Sequence, residues 1–227
     1  MLIPDWFRAS SSAKIPDMEG SNKQNKDKWQ SQKSSLTRDR IIIATLECIV
    51  EHGYESTTMA KIAKIAKVSQ GSMQYHYSSK IDVIKAAIDY LHVKRLNDHI
   101  KRLEETPKGK PQMAHAVEVY WQQLSDGYFV AYQDLVIAAR TDPELAKVLR
   151  PAYQRFVKAW RNHALVQIPV GHKHRKSYEL ICDIGQYQME GLAFGRLNDQ
   201  ISEADGIKVL GFTKDLLLDM MAKLDSS

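Results

Sequence analysis

The chain has 227 residues, 44% hydrophobic and 26% charged, which is the composition of an ordinary globular protein and excludes a disordered chain. A formal net charge of +5 at pH 7 permits nucleic acid binding without demanding it. The two cysteines, Cys48 and Cys182, exclude a disulfide framework and a cysteine metal cluster, so a reducing cytoplasm is expected. No apolar run is long enough to span a bilayer, and no membrane partner is expected.

Residues 1–35 form a polar segment ahead of the first helical pattern. They are rich in Ser, Lys, Asn, Gln and Asp, and no period is sustained through them. We therefore expect a flexible N-terminal arm over residues 1–35. Its lysines could touch phosphate, although a solvated tail is the simpler interpretation; they are Lys23, Lys26, Lys28 and Lys33.

A compact basic segment follows, with four lysines and no acidic residue between positions 56 and 80. Three helices are expected in it, capped by Thr37, Thr58 and Ser69, with Gly53 ending the first of them. Short helices joined by a tight second turn are typical of the helix-turn-helix, whose last helix enters the major groove of DNA. The spacing therefore predicts a DNA-binding domain over residues 36–83.

The third of these helices carries two kinds of side chain. Met73 and Tyr77, four residues apart, are expected to pack inward. The expected base contacts are Gln70, Ser72 and Gln74, because Gln can bond adenine at two positions and Ser can bond any base edge. Short polar, aromatic and basic side chains suit phosphate oxygens, and the expected phosphate contacts are Thr58, Lys67, Tyr75, His76 and Lys80. The alternative is a basic three-helix bundle in which His76 is an ordinary surface histidine.

Helical periodicity continues to the end of the chain, with no convincing strand. A long helix is expected from about Lys80, and Asp142 followed by Pro143 predicts a helix start. The remaining helices are expected near residues 112–125, 128–139, 175–198 and 204–224, with loops at 106–111 and 168–174. The fold class is therefore expected to be all-α, with about nine helices.

Residues 37–87 resemble the N-terminal domain of the TetR family of transcriptional regulators. The residues that carry the resemblance are Gly53-Tyr54, Thr57-Thr58, Ile62-Ala63, Val68-Ser69, Gly71, His76, Tyr77 and Lys80. The family implies a homodimer that binds a double-stranded DNA operator, with residues 84–227 forming a helical ligand-binding and dimerisation domain. Three positions depart from the family pattern: Lys61 replaces an acid, Lys67 replaces a glycine and is expected to need a positive φ, and Gln74 replaces an aromatic residue.

The two closing helices carry apolar stripes that the family layout assigns to a four-helix dimer interface. The expected interface residues are Tyr178, Ile181, Gly185, Met189, Leu192, Leu210, Leu217, Met221 and Leu224. The alternative is that these stripes pack inside one subunit. Dimerisation makes physical sense, because a dimer carries two DNA-binding domains. These domains, residues 36–83 of each subunit, are called the heads, and two heads roughly 34–36 Å apart can bind a palindrome.

The middle helices are rich in aromatic residues, which suit a pocket for a partly apolar small molecule. The expected pocket residues are Trp121, Tyr128, Phe129, Tyr132, Phe156 and Gln186, although aromatic residues at helical spacing are more often core. The resemblance implies a repressor that an unidentified effector releases from DNA by a population shift, transmitted through the helix that starts near Lys80.

Other classes of function find little support in the sequence. There is no zinc-protease motif, no nucleophile elbow and no phosphate-binding glycine loop, so no enzyme and no cofactor are expected. His172-Lys173-His174 could be interpreted as a metal site, but no metal is expected. The remaining alternative is an architectural or partner-controlled DNA-binding protein without a small effector.

Overall fold

The computed structural model describes residues 23–105, 112–167 and 174–225, and these contain nine helices and no strand. In chain order the helices are α1 Lys23–Ser56, α2 Met59–Ile65, α3 Gln70–His76, α4 Lys80–Glu104, α5 Gln112–Leu124, α6 Gly127–Ala138, α7 Pro143–Gln167, α8 Arg175–Leu197 and α9 Glu203–Asp225. The all-α class is confirmed. The predicted loop at 106–111, and that at 168–174 except for His174, lie outside the described residues.

The first helix begins earlier than the sequence analysis expected. Thr37 does not cap it, because α1 starts at Lys23 and the Thr37 hydroxyl donates to the Lys33 carbonyl one turn back (2.9 Å). The expected flexible arm is therefore wrong for residues 23–35, and residues 1–22 lie outside the described part. No glycine or proline interrupts positions 23–36, so nothing stops the helix from extending toward the N-terminus.

Gly53 breaks α1 where the sequence predicted an end. Its φ of 77° and ψ of 160° lie in a region of backbone conformation that is essentially restricted to glycine. After this break the chain turns through Tyr54 and Thr57, whose hydroxyl donates to the Gly53 carbonyl (2.8 Å). The glycine thus places Tyr54 against the rest of the first compact unit described below.

Replacing Gly53 with alanine should lower the free energy of unfolding by about 1–3 kcal/mol, because a Cβ is strained at this φ and ψ. Space is not the cause, since a Cβ at Gly53 would meet only a carboxylate oxygen of Asp134 at 3.7 Å. Gly211→Ala is the matched control: it lies in α9 with nothing within 4 Å, and should stabilise the helix by up to about 1 kcal/mol. Urea unfolding of both variants measures the difference, and equal stabilities would contradict it.

The caps predicted for the two short helices are present. The Thr58 hydroxyl accepts a hydrogen bond from the Lys61 amide (3.3 Å), and the Ser69 hydroxyl accepts one from the Ser72 amide (3.1 Å). Lys67, in the turn between them, has the expected positive φ, at 54°. Further along, Asp142 accepts from the Leu145 amide (2.9 Å), which confirms the cap predicted for α7.

The first compact unit contains the described residues up to His92 together with Gly127–Tyr153. Helices α1 to α3 pack on one another, and α6 packs along α1. Their buried side chains form a single apolar cluster, which includes Ile41, Leu46, Ile62, Met73, Ile84 and Leu135. The predicted boundary after residue 83 does not follow this unit, since α6 and the start of α7 pack with the head.

The second compact unit contains Val93–Asp126 and the described residues from Gln154 onward. Helix α8 packs against α9, and α5 packs against both. Val117, Tyr120, Ile181, Met189 and Leu217 are among its buried side chains. Within the described part of the chain, every helix is too short or too polar to cross a membrane.

Candidate DNA interface and candidate effector cavity

Helix α3 is held in place by its inward side. Met73 is fully buried and Tyr77 nearly so, and both belong to the cluster that contains Leu46. Ser69 caps the start of the helix, and the Tyr77 amide donates to the Met73 carbonyl at its end (3.0 Å). These contacts confirm the inward packing expected of Met73 and Tyr77, and they leave the opposite side of α3 outside the core.

The exposed side of α3 carries most of the expected base contacts. Gln70 and Gln74 are exposed, whereas Ser72 is half-buried on the flank of the helix. Tyr75, expected at phosphate, is 80% exposed, and its ring meets the His76 ring edge-on at 5.1 Å between centroids. A large, exposed aromatic side chain next to two exposed amides is suited to contact a polar partner surface.

Gly71 lies on the same side of α3, and the packing of the chain does not require a glycine at this position. A Cβ added there would meet nothing within 4 Å, and the residue has no positive φ. Glycine in a helix costs about 1 kcal/mol relative to alanine. The missing side chain is thus unexplained within the subunit, but it allows another molecule to approach the backbone of α3 closely.

The other expected phosphate contacts surround α3. Thr58 and Lys67 are exposed. His76 is half-buried, and this burial, together with the nearby Arg38 guanidinium, lowers the pKa of His76 below its usual range. The ring is therefore neutral at pH 7, and it could bond a phosphate oxygen only through an N–H.

Lys80 is engaged within the first unit. Its ammonium donates to the Tyr54 carbonyl (2.7 Å) and lies over the Tyr54 ring, 4.0 Å from the centroid. Tyr54 in turn donates its amide to the Asp134 carboxylate and its hydroxyl to the Asp142 carboxylate (2.7 Å). These bonds fasten the head to α6 and α7, and they occupy the ammonium that the sequence analysis assigned to phosphate.

The predicted pocket residues do not come together. Tyr128, Phe129 and Tyr132 are buried within the first unit, because α6 is apolar around most of its circumference. Trp121 lies in the second unit with the Arg196 guanidinium 5.6 Å from its ring centroid. Of the predicted set, Phe156 and Gln186 line the cavity of the second unit, which is described next.

A cavity of about 110 Å³ lies inside the second unit, between α4, α5, α7, α8 and α9. Phe156 and Trp160 contribute flat apolar surfaces, with ring centroids 5.4 Å apart. Tyr120 meets the Trp160 ring edge-on at 5.5 Å, and its hydroxyl donates to the Glu190 carboxylate (2.6 Å). Engineered cavities of about 150 Å³ accept a benzene molecule, so this somewhat smaller space is on the scale of one small organic ligand.

The charges at the cavity wall are paired. The Arg161 guanidinium bonds both oxygens of Asp183 (2.8 and 2.9 Å), and the Arg175 guanidinium bonds Glu179 (3.1 Å). Burial raises the pKa of the Cys182 thiol, so this sulfur is protonated at neutral pH. The lining thus combines apolar surface with polar groups that carry no net charge.

His99 is the most deeply buried histidine of this lining, with 6% of its surface exposed. Its ring lies against Trp160, with centroids 4.0 Å apart. Burial, reinforced by the neighbouring His163, lowers the pKa of His99 to about 3, so the ring is neutral. Among the described residues, its Nδ1 atom has no hydrogen-bond partner. Buried polar atoms in proteins nearly always make a hydrogen bond, so a buried nitrogen without one calls for an explanation.

The predicted dimer stripe faces the interior of the subunit. Tyr178, Ile181, Gly185, Met189, Leu192 and Leu217 are buried within one chain, and all of these except Leu192 line the cavity. A Cβ on Gly185 would lie only 2.8 Å from a methyl carbon of Leu217, so α8 and α9 approach closely there. Leu210, Met221 and Leu224 are partly exposed. The six buried residues therefore pack against side chains of their own subunit.

A different apolar surface lies on the outer side of α8 and α9. Phe212 is 68% exposed and Tyr187 is 62% exposed. Leu180 on α8 and Val209 and Leu216 on α9 belong to the same surface, which we call the outer face. Gly191, on α8, is exposed, and a Cβ added there would meet nothing within 4 Å. Exposed aromatic and aliphatic residues gathered on two adjacent helices are typical of a protein interface.

Sequence reasoning missed His99 and the ion pairs of the cavity. A signal was present, since His92, Arg95, His99 and Leu103 recur at three- and four-residue steps along α4 and are all buried. Polar residues at core positions of a helix are uncommon and often mark a site. Arg161 and Asp183 lie on different helices, so their pairing gave no local pattern.

Comparison with known proteins agrees with this architecture. A sequence model described as bacterial regulatory proteins, tetR family, matches residues 41–87. An uncharacterized HTH-type transcriptional regulator of Mycobacterium tuberculosis is 27% identical over 121 residues, covering 53% of this chain and 62% of that relative. The chain thus spans about three fifths of the length of that relative. Its name is that of a regulator, not of an enzyme.

Solved structures show the same fold at lower identity. A transcriptional regulator from Rhodococcus sp. Rha1 superposes with a TM-score of 0.60 at 22% identity, covering 80% of this chain and 96% of that one. A Saccharomonospora viridis protein in complex with choline superposes with a TM-score of 0.57 at 17% identity, covering 83% and 96% of the two chains. Taken with the helix-turn-helix geometry, the match shows that residues 41–87 are a helix-turn-helix domain of the tetR family of bacterial regulatory proteins, and the rest of the chain shares the fold of the solved regulators.

Proposed function

We propose that this protein is a homodimeric, sequence-specific DNA-binding transcriptional regulator that acts in the cytoplasm. It represses transcription and leaves a palindromic operator when a small, partly apolar effector binds. The observation that carries the proposal is the exposed side of α3, where Gly71 omits a side chain for which the subunit itself has room. Exposed Gln70 and Gln74 lie beside it and can pair with base edges.

The remaining contacts of the head support binding to the DNA backbone. Thr58, Lys67, Tyr75 and His76 surround the exposed side of α3 and can meet phosphate oxygens. Because Lys80 bonds the Tyr54 carbonyl, we assign it to holding the head in position, not to a phosphate. Lys67 is the cation among these four contacts, so the two copies in a dimer give a logarithmic salt dependence of affinity of about −2.

The outer face supports the homodimer. It offers Tyr187 and Phe212 as large exposed anchors, and a twofold axis would bring α8 and α9 of two copies into a four-helix arrangement. Such an arrangement places two heads for a palindrome whose half-sites are roughly 34–36 Å apart.

Effector control is supported by the cavity in the second unit and by α4. The fold holds a small organic molecule in the choline complex of Saccharomonospora viridis. Helix α4 contributes Lys80 to the head and His99 to the cavity, so the same helix carries a residue of each. An effector that prefers the conformation with low DNA affinity shifts the population by its differential affinity.

The direct test begins with purified protein and sheared genomic DNA, from which bound fragments are captured and sequenced. On the operator found this way, Gln70→Ala should relax the base preference at one position of each half-site. Lys67→Ala should weaken binding to all DNA sequences alike. The slope of log affinity against log salt concentration should become shallower by about 1 for each lysine–phosphate contact that is removed.

Fluorescence anisotropy titrations at several salt concentrations measure both effects. If no fragments are enriched, or if affinity is the same at low and moderate salt, the DNA-binding proposal is wrong. If the protein binds its operator but no small molecule displaces it while a protein partner does, the partner-controlled alternative replaces effector release.

A further inference from the structure

The cavity of the second unit restricts the chemistry of its ligand more narrowly than its apolar walls alone. The cationic and anionic groups that reach its wall are the guanidinium of Arg161 and the carboxylates of Glu179 and Asp183. The guanidinium and the Asp183 carboxylate bond one another, and Glu179 bonds Arg175. A charged ligand would lose its hydration on entering the cavity. The charged side chains at the wall already pair with one another or with Arg175, so they would not compensate for the free energy lost.

The histidines of the lining do not supply an unpaired charge either. Burial lowers the pKa of His99 most, and the neighbouring His163 on α7, Arg95 and Arg102 on α4 and His115 on α5 act in the same direction. Burial also lowers the pKa of His163, although Glu104 opposes the shift. The wall is therefore neutral at pH 7 as well as largely apolar.

The shape of the wall favours a flat ligand. Phe156 and Trp160 line the cavity with ring centroids 5.4 Å apart, and the Tyr120 ring stands edge-on to Trp160. Aromatic rings prefer offset stacks and edge-to-face contacts, which a flat ligand can make with several of these side chains at once.

One polar group of the lining lacks a partner. The His99 ring is nine-tenths buried, and its Nδ1 atom makes no hydrogen bond to any described residue. Neutral imidazole has one donor nitrogen and one acceptor nitrogen, so it can bond either a hydroxyl or a carbonyl of a ligand. A ligand that supplies this bond removes an unfavourable feature of the empty cavity.

From these observations we infer that the cavity binds an uncharged, flat aromatic molecule of about one ring that carries one hydrogen-bonding group, and that this group bonds His99. The inference rests on the effector role proposed above and states the chemical class of that effector. It also separates this chain from the Saccharomonospora viridis protein, whose choline ligand is a cation.

The experiment compares four probes that share one apolar frame: 4-ethylphenol, ethylbenzene, 4-ethylbenzoate and 4-ethylbenzylammonium. Isothermal titration calorimetry of the full-length protein at pH 7 measures each affinity. 4-Ethylphenol should bind at least about tenfold more tightly than either charged probe, and more tightly than ethylbenzene. Tighter binding of a charged probe, or no binding of any probe, overturns the inference.

Two variants test the assigned groups. His99→Phe keeps a flat ring against Trp160 but removes the imidazole, so the preference for 4-ethylphenol over ethylbenzene should fall about tenfold, a ratio that a general loss of folding would not change selectively. Asp183→Asn removes the negative charge that balances the Arg161 guanidinium and should improve binding of 4-ethylbenzoate over 4-ethylphenol about tenfold. Unchanged ratios in both variants overturn the assignment.

A wrong ligand class can be distinguished from a wrong regulatory function, because ligand binding and operator binding are measured in separate experiments. Operator binding is measured separately by anisotropy, with and without saturating 4-ethylphenol. If the probe binds but leaves DNA affinity unchanged, the ligand class stands and effector release fails. If the protein binds DNA but none of the four probes, the ligand class fails while the DNA-binding proposal stands.

Discussion

Replacing Phe212 with glutamate is expected to convert the proposed homodimer to a monomer and to weaken operator binding by about 100- to 10,000-fold. Phe212 is 68% exposed on α9, between Val209 and Leu216 of the outer face. In a dimer across this face, the glutamate carboxylate would be buried among apolar side chains without a partner. Each head would then bind its half-site alone, and the gain from linking two heads would be lost.

The measurement is light scattering coupled to size-exclusion chromatography, together with anisotropy on a palindromic operator and on a single half-site. Val93→Glu is the matched control, because Val93 is an exposed aliphatic residue on α4, outside the outer face. That variant should remain dimeric with its operator affinity unchanged. If Phe212→Glu remains dimeric, the outer face is not the dimer interface.

The starts of several helices could be predicted because the signals that set them are local. Thr58, Ser69 and Asp142 each accept a hydrogen bond from an amide three residues ahead, and that interaction depends on few neighbours. Gly53 likewise marks a conformation that other residues avoid. Thr37 failed as a cap because a serine or threonine inside a helix can donate to the preceding turn instead.

The orientation of α8 could not be predicted from periodicity. This helix carries apolar residues on two sides, with Ile181 and Met189 inward and Leu180 and Tyr187 outward. Periodicity identifies a stripe but does not say whether it meets the same subunit or another copy. The inward choice follows from long-range packing, in which Leu217 of α9 fills the space left by Gly185.

The cavity was missed for a related reason. The pocket was predicted from the aromatic residues of the middle helices. Those of α6, however, pack inside the first unit, where α6 lies along α1. The residues that give the cavity its polarity, His99, Arg161 and Asp183, are far apart in sequence and meet only in the folded second unit. A criterion based on polar residues at core positions of α4 would have found His99.

The stability of the protein should depend on pH through His99. Its pKa is about 3 in the folded chain, against about 6.5 for an ordinary histidine in the unfolded chain. Between these values the unfolded chain binds a proton that the folded chain does not, so unfolding takes up a proton and stability falls as the pH falls. The contribution of His99 is complete above pH 6.5 and is lost progressively down to about pH 3.

The expected size of this effect is about 2 kcal/mol less stability at pH 5 than at pH 7 from His99 alone. Wild type will lose more, because the pKa values of His76 and His163 are lowered in the folded chain as well. His99→Phe keeps an aromatic ring against Trp160 and removes the proton-binding site. The variant should therefore lose about 2 kcal/mol less than wild type over the same interval.

Urea unfolding of both proteins at pH 7, 6 and 5 measures this difference. Gly211→Ala is the control, since it changes the stability of α9 without removing a titratable group. Its pH dependence should stay close to that of wild type. If His99→Phe and wild type lose the same stability between pH 7 and pH 5, the pKa of His99 is not lowered in the folded chain, and the imidazole takes up its proton there as it does in the unfolded chain.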